Sequence, residues 1–416
     1  MKQLGPPHTQ QTDAAPGRRT DEEPAAGGAR PGVLHLVDSL DIGGLETTVL
    51  RLAKAQAAAG LDVTVATLFR PGALVEAITQ AGVVHAPIGK RPGFDGGALL
   101  RIRRLVRSRR TRILHTHNPV AHYYGVLATL GQPVHRVNTR HDMGVHARTR
   151  RLDRIYRGVM PATSAVVAVC EAARAAFVER ALVPARLLSV IHNGIEPCAL
   201  PTDAERGSAR RALGLQDADR RLVVGTVGRL NTVKRIDVLV EAWRHVADAR
   251  DAHLVVVGDG PERAALESLV RSRGLERCVS FVGARMDVRN LLPAFDLFAL
   301  SSDTEGMSVA LVEASWAGLA TVATDVGGNP EIVLPEQTGI LVQPGAPRAL
   351  AHAIGALLAD PARRNSMGRA ARSRAERCWT VDAMSRAYMQ VYGLAPDAQG
   401  GSAPSHPSAQ FARPRA

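Results

Sequence analysis

Glu305 and Glu313 are the first residues in this chain whose type and spacing could do chemistry. They stand in the run Leu297-Phe298-Ala299-Leu300-Ser301-Ser302-Asp303-Thr304-Glu305-Gly306-Met307-Ser308-Val309-Ala310-Leu311-Val312-Glu313-Ala314. The apolar opening predicts a buried parallel strand, the acidic-glycine stretch a turn, and 307–317 a helix stopped by Gly318. Gly306 lets the backbone tighten where a side chain would obstruct a ligand. The amides of Met307, Ser308 and Val309 lack partners within such a helix and suit an anion such as phosphate. With Glu305 in the turn and Glu313 about two helical turns on, both carboxylates can reach one cleft, where they accept from sugar or ribose hydroxyls. The plain alternative is a capping acid at 305 and a solvated face at 313. Glu313 lies between Val312 and Ala314 on a largely apolar helix, which argues against it.

A second cluster is Gly228-Arg229-Leu230 with Lys234. An arginine and a lysine at a strand end can converge on a diphosphate, the first through a planar fork and the second as a point charge. Only four of the 52 basic residues are lysine, so a lysine here is informative. Gly43 and Gly44 lie at the first strand-to-helix turn, where they allow close backbone approach and the next helix offers amides to phosphate. Glu46 reads as a first-turn acid favoured by the helix dipole. Gly258 and Gly260 follow another strand, but Arg263 stands where a dinucleotide fingerprint has its third glycine, so the loop does not argue for NAD.

His141 follows a strand that ends toward the same cleft; the alternative is a structural hydrogen-bonder. His115 and His117 also end a strand and read as structural or acceptor-side groups. None has the His-Glu-x-x-His spacing of a metal site. Asp217-Ala218-Asp219 precedes Arg220-Arg221 in a polar loop and reads as solvated, so no metal is expected. Asn193-Gly194 reads as a structural turn.

Strands are expected at 33–40, 62–69, 83–88, 112–116, 134–140, 164–169 and 188–191, with helices between them. After a break at Pro197 and Pro201, strands are expected at 222–227, 253–257, 279–282, 296–300, 320–324 and 339–342. This alternation predicts an α/β chain with two doubly wound parallel sheets, residues 31–200 and 201–378. Residues 1–30 and 396–416, rich in Pro, Gly, Ser, Ala and Gln, are expected to be disordered.

A chain of 416 residues fits two domains. No apolar run approaches the ~20 residues that span a bilayer, and the N-terminus lacks the apolar core of a signal peptide, so export is not expected. Four scattered cysteines read as reduced cytosolic thiols. The net charge of +13 sits in the first half, where residues 31–200 hold 22 Arg and Lys against 11 Asp and Glu. It concentrates at Arg101, Arg103, Arg104, Arg107, Arg109, Arg110 and Arg112, and at Arg148, Arg150, Arg151, Arg154 and Arg157. Such a face is either solvated or attracted to an anionic membrane or a diphosphate-bearing acceptor. Aromatics are only 4% and offer no stacking platform, which argues against nucleic acid.

Glu305, seven residues, then Glu313, followed by Ala-Ser-Trp-Ala-Gly, Thr-Val-Ala-Thr and Gly327-Gly328, resembles the donor-site signature of retaining glycosyltransferases of family 4. The resemblance implies a GT-B fold, two Rossmann-like domains facing across a cleft, with a helix at 379–395 crossing back to the first domain. It implies a nucleotide-sugar donor and neither cofactor nor metal. Arg229, Lys234 and the helix start at Met307, Ser308 and Val309 would take the charge of the departing diphosphate. Glu313 would hold the ribose, Glu305 a hydroxyl of the transferred sugar, and His141 would contact that sugar. Gly43 and Gly44 would lie near donor phosphate and acceptor, and Gly228, Gly258, Gly260, Val282 and Gly306 would line the donor site. The acceptor would be a glycan or a lipid-linked diphosphate at the inner face of the plasma membrane, with Arg101, Arg104, Arg107, Arg148 and Arg151 on that side. A nucleotide-sugar epimerase of the same fold and a non-catalytic sugar-nucleotide-binding protein are the alternatives.

Overall fold

Thirteen strands form among the residues described by the computed structural model, 30–143, 150–215, 221–247 and 251–394. Arg148, the Asp217–Asp219 pair and the terminal segments 1–29 and 395–416 lie outside the described residues. The first sheet is built from β1 (Gly32–Ser39), β2 (Asp62–Arg70), β3 (Val84–Pro87), β4 (Thr111–His117), β5 (His135–Arg140), β6 (Ala165–Ala168) and β7 (Leu188–Val190), in the order β3-β2-β1-β4-β5-β6-β7. The second contains β8 (Leu222–Val227), β9 (Ala252–Val257), β10 (Val279–Phe281), β11 (Leu297–Leu300), β12 (Thr321–Thr324) and β13 (Gly339–Val342), in the order β10-β9-β8-β11-β12-β13. Every pairing is parallel. Strands such as β9, Ala-His-Leu-Val-Val-Val and buried at all six positions, are rich in Val and Leu because helices cover both faces.

Each sheet reverses its strand order beside its first strand, at β1/β4 and at β8/β11. The carboxyl ends of those strands are where an open α/β sheet opens a ligand crevice. The segments leaving β1, β4, β5, β8, β9 and β11 carry Gly43 and Gly44, His117, His141, Arg229 and Lys234, Gly258 and Gly260, and Glu305.

The helix after Glu305 runs from Val309 to Trp316, two residues later than the sequence pattern suggests. Ser308 is extended and its hydroxyl accepts from the Leu311 amide, which makes it the cap rather than a helical residue. Gly318, at φ +73°, ends the turn that follows. The helix Val381–Val391 packs on the helix Gly44–Ala58, and Met384, Tyr388 and Tyr392 join Val33, Val37 and Leu52 in the first sheet's core. Its approach is set at Gly194, where an added Cβ would lie 2.4 Å from the Thr380 carbonyl oxygen. Backbone bonds from Ile195 to Trp379 and from Val381 to Ile195 secure the crossing.

Candidate active site

The turn after β11 is held from below by serines. Ser301 Oγ donates to the carbonyls of Lys234 and Arg235, fixing the end of the turn Thr232–Lys234, and Asn231 Oδ1 accepts from the Lys234 amide. Ser302 Oγ and Lys234 Nζ both donate to Glu305 Oε1, each at 2.6 Å. The Glu305 side chain is 8% exposed and that of Lys234 24%, so a buried carboxylate meets a cation that still faces the opening. Such a charge-assisted pair is short and directional.

Gly306 brings this turn against the first half of the chain. A Cβ there would fall 2.3 Å from the His141 carbonyl oxygen, so only glycine permits the approach. Next to it, the Asn193 side chain donates to the Met307 carbonyl. Gly43 is extended, and a Cβ placed on it would lie 2.4 Å from Glu46 Oε2 and 3.9 Å from Arg229 Nη2; one on Gly44 would lie 3.3 Å from Val309 Cγ2. Gly43, Gly44, Arg229 and Val309 thus meet at one place, although they come from both halves of the chain. Burial raises the Glu46 carboxyl, and the Arg229 charge pulls it back. Glu46 therefore faces the site as well as sitting in a first helical turn.

Gly228, Gly258, Gly260 and Val282 line one side of the second sheet. Gly258, at φ +146°, packs so closely that a Cβ would lie 1.9 Å from the Gly228 carbonyl oxygen, and its amide donates to Gly283. Gly260 crosses Leu230 in the same way, and the Val282 amide donates to Val256.

Glu313 reaches across to the first half. Its Oε1 accepts from Arg51 Nη2 at 2.6 Å, and Arg51 Nε donates to Glu196 at 3.1 Å. Arg51 Nη1 is buried without a partner among the described residues. His141 Nε2 pairs with His117 Nδ1 at 3.0 Å, and burial lowers the His141 ring to about 4, so it is neutral near pH 7.

The arginines of the first half divide. The Arg101 guanidinium donates to the carbonyls of Ile88 and Gly89 and to Asp95. Arg103 is bound to the carbonyls of Ala128 and Leu130, and Arg109 to Asp62 and Thr64. Arg101 is therefore not a free surface cation. Arg104, Arg107 and Arg151 are exposed.

Sequence reasoning missed Arg51 and Asp38. Asp38 is the penultimate residue of β1 beside the site; burial raises it to about 6 against the pull of Asn118 and Lys90, and its Oδ1 has no partner among the described residues. An acid at the end of the first strand was the available signal. Arg51 carries none, since it reads as an ordinary polar position of an amphipathic helix.

Two doubly wound parallel-sheet domains with the polar cluster at their facing strand ends define a GT-B protein. Residues 213–374 match the family described as Glycosyl transferases group 1, and residues 42–197 match Glycosyltransferase Family 4. A D-inositol 3-phosphate glycosyltransferase of Xylanimonas cellulosilytica is 30% identical over 395 residues, 85% of this chain and 92% of that protein. The N-acetyl-alpha-D-glucosaminyl L-malate synthase of Bacillus anthracis is 25% identical over 306 residues, 72% of this chain and 79% of that protein. Among solved structures, Anabaena HepE in complex with UDP and glucose superposes with a TM-score of 0.80 at 23% identity, covering 88% of this chain and all of that one. The chain belongs to glycosyltransferase family 4, and it is a glycosyltransferase of GT-B architecture. No helix among the described residues is long and apolar enough to cross a membrane.

Proposed function

We propose that this chain is a retaining glycosyltransferase that moves a sugar from a nucleoside-diphosphate donor to an acceptor held by its first half, without a metal. The observation that carries the reading is the Lys234–Glu305 pair, which adjoins the crossing of Gly306 and His141 while Arg229 lies beside Gly43. A leaving diphosphate gains charge as the glycosidic bond breaks, and preorganised cations and amides stabilise that charge best. Arg229, Lys234 and the first amides of the helix Val309–Trp316 are such groups. Charge-assisted bonds contribute about 1.5–3 kcal/mol each. Glu305 then holds a hydroxyl of the transferred sugar and Glu313 the ribose. No side chain stands as an evident covalent nucleophile, so the working mechanism is front-face displacement in which the departing phosphate takes the acceptor proton. HepE, solved with UDP and glucose, supports a nucleotide-sugar donor by analogy of fold.

For the acceptor we favour a glycan or lipid-linked diphosphate of cell-surface polysaccharide synthesis at the inner membrane face. Arg104, Arg107 and Arg151 are exposed cations of that side, as are Arg110, Arg112, Arg154 and Arg157. A second reading, a compact anionic acceptor, is favoured by the internal engagement of Arg101, Arg103 and Arg109, which leaves fewer arginines for a membrane. A thermal-shift panel of UDP-, GDP- and ADP-sugars tests the donor, and the anomeric configuration of the product by NMR tests retention. Failure of every nucleotide sugar to stabilise the protein would refute the reading. Quantitative epimer formation without acceptor would replace it with an epimerase. Salt-sensitive sedimentation with anionic vesicles separates the two acceptors.

A further inference from the structure

One ring nitrogen from each of His35, His115 and His117 lies within 4.8 Å of the others in the buried first sheet. The grouping has the look of a metal site, yet every ring nitrogen of the three is already paired. His35 Nδ1 lies 3.1 Å from His117 Nε2, and His35 Nε2 lies 2.8 Å from Gln56 Oε1. His117 Nδ1 lies 3.0 Å from His141 Nε2. His115 Nδ1 lies 2.6 Å from the Tyr392 hydroxyl, and its Nε2 lies 2.7 Å from Thr139 Oγ1. The Gln56 amide joins the two branches, because its Nε2 donates to the Tyr392 hydroxyl at 3.1 Å.

Burial lowers all four rings, so each is neutral near pH 7 and has one donor and one acceptor nitrogen. The proton positions can then be solved from one end. Gln56 Oε1 only accepts, so His35 Nε2 carries a proton and His35 Nδ1 is bare. His117 Nε2 therefore donates to His35, and bare His117 Nδ1 accepts from His141 Nε2. In the second branch Gln56 Nε2 donates to Tyr392, Tyr392 donates to His115 Nδ1, and His115 Nε2 donates to Thr139. Thr139 in turn can donate to the Tyr388 hydroxyl at 3.0 Å. Turning the Gln56 amide over reverses every bond in both branches and leaves the proton on His141 Nδ1 instead. The network thus has two complete states, and one amide chooses between them.

We propose that Gln56, acting through His35 and His117, selects the tautomer in which His141 offers a bare Nδ1 to a hydroxyl of the transferred sugar. Gln56, His35 and His117 are positioning residues in this scheme, and they never touch the donor. His141 Nδ1 has no partner among the described residues, and His141 is half-buried at the end of β5 against Gly306. The returning helix Val381–Val391 and the turn after it take part, since Tyr388 and Tyr392 terminate one branch. The sugar contact rests on the function proposed above; the relay does not.

Long-range proton–nitrogen NMR of the full chain labelled with 15N-histidine reads the tautomers directly. Without donor, His35, His117 and His141 should all carry the proton on Nε2. A wild-type His141 protonated on Nδ1 overturns the proposal, whatever any variant does. In Gln56→Leu, His141 should show both tautomers, and the donor KM should rise about three- to tenfold, the range of one hydrogen bond, with kcat less affected. A folded Gln56→Leu protein whose His141 tautomer is unchanged also overturns it. Donor sugar added to wild type should shift the His141 Nδ1 resonance. If the tautomers are as expected but that resonance stays in place, the sugar contact is refuted while the relay stands.

Discussion

Acidification should destabilise this protein through its interior histidines, and the size of the effect can be worked out. His35, His115, His117 and His122 are at most 1% exposed. Burial is the leading cause of lowering for each, to about 4 for His35, about 3 for His122 and well below the ordinary 6.5 for His115 and His117. A histidine whose folded pKa is depressed binds fewer protons folded than unfolded, so stability rises with pH between the two values and is lost as pH falls through 6.5. Going from about pH 7.5 to about pH 5.5, each such ring costs about 1.3 kcal/mol, and with His141, lowered to about 4 by burial, the five amount to about 6.5 kcal/mol. Asp38 works the other way, because its folded pKa of about 6 lies above the unfolded value. Its burial penalty is smaller at the lower pH, which returns about 0.8 kcal/mol. The net loss of about 6 kcal/mol is a large part of a typical 5–15 kcal/mol stability. Urea unfolding at the two pH values should show a midpoint shifted down with an unchanged slope against denaturant. His122→Asn should weaken the pH dependence by about one proton in this window. A midpoint that does not move would mean that the folded protein accepts charge on these rings, and the neutral-histidine reasoning would fail.

Lys234→Met leaves the buried Glu305 carboxylate with only Ser302 as a side-chain donor among the described residues; kcat should fall by well over tenfold, and steady-state kinetics with saturating donor checks it. Arg51→Met frees Glu313 from the bond that spans the two halves; the donor KM should rise about three- to tenfold with kcat little changed. Gly306→Ala drives a methyl group into the His141 carbonyl and should cost about 1–3 kcal/mol of stability together with most activity, measured by melting and turnover. Asp38→Asn should stabilise the protein at pH 7.5, by up to about 3 kcal/mol, and leave it unchanged below about pH 4; denaturant melts at the two pH values check this.

All thirteen strands were legible from short runs alternating with helical stretches, most of them apolar though β4 and β5 carry Thr, His, Asn and Arg, and β8 and β13 fall at the expected residues. Other ends moved by a residue or two where a cap decides the boundary, as Ser308 does. The Glu305, Lys234 and Gly306 group was legible because its members lie at strand ends, which the topology brings together. Arg51 with Glu313, 262 residues apart, was not. Nor were the partners of Arg101, because backbone carbonyls such as those of Ile88 and Gly89 leave no mark in a sequence. The histidines were visible one by one, but a relay depends on ring orientation, and no spacing rule encodes that.

The relay and the acid lability have one cause. A proton path through imidazoles is determinate only if each ring is neutral, since a charged ring donates from both nitrogens and breaks the direction of the chain. Keeping His35 and His117 neutral requires the burial that makes them costly to charge. The two properties should therefore fail together. As pH falls, the neutral tautomers of His35 and His117 should be lost along the same curve as the fold, because protonating an interior ring and opening the sheet are one event. If a second ring proton instead appeared on His35 or His117 well above the pH of unfolding, a ring would be taking charge inside an intact sheet, and the selection of the His141 tautomer by Gln56 could not hold.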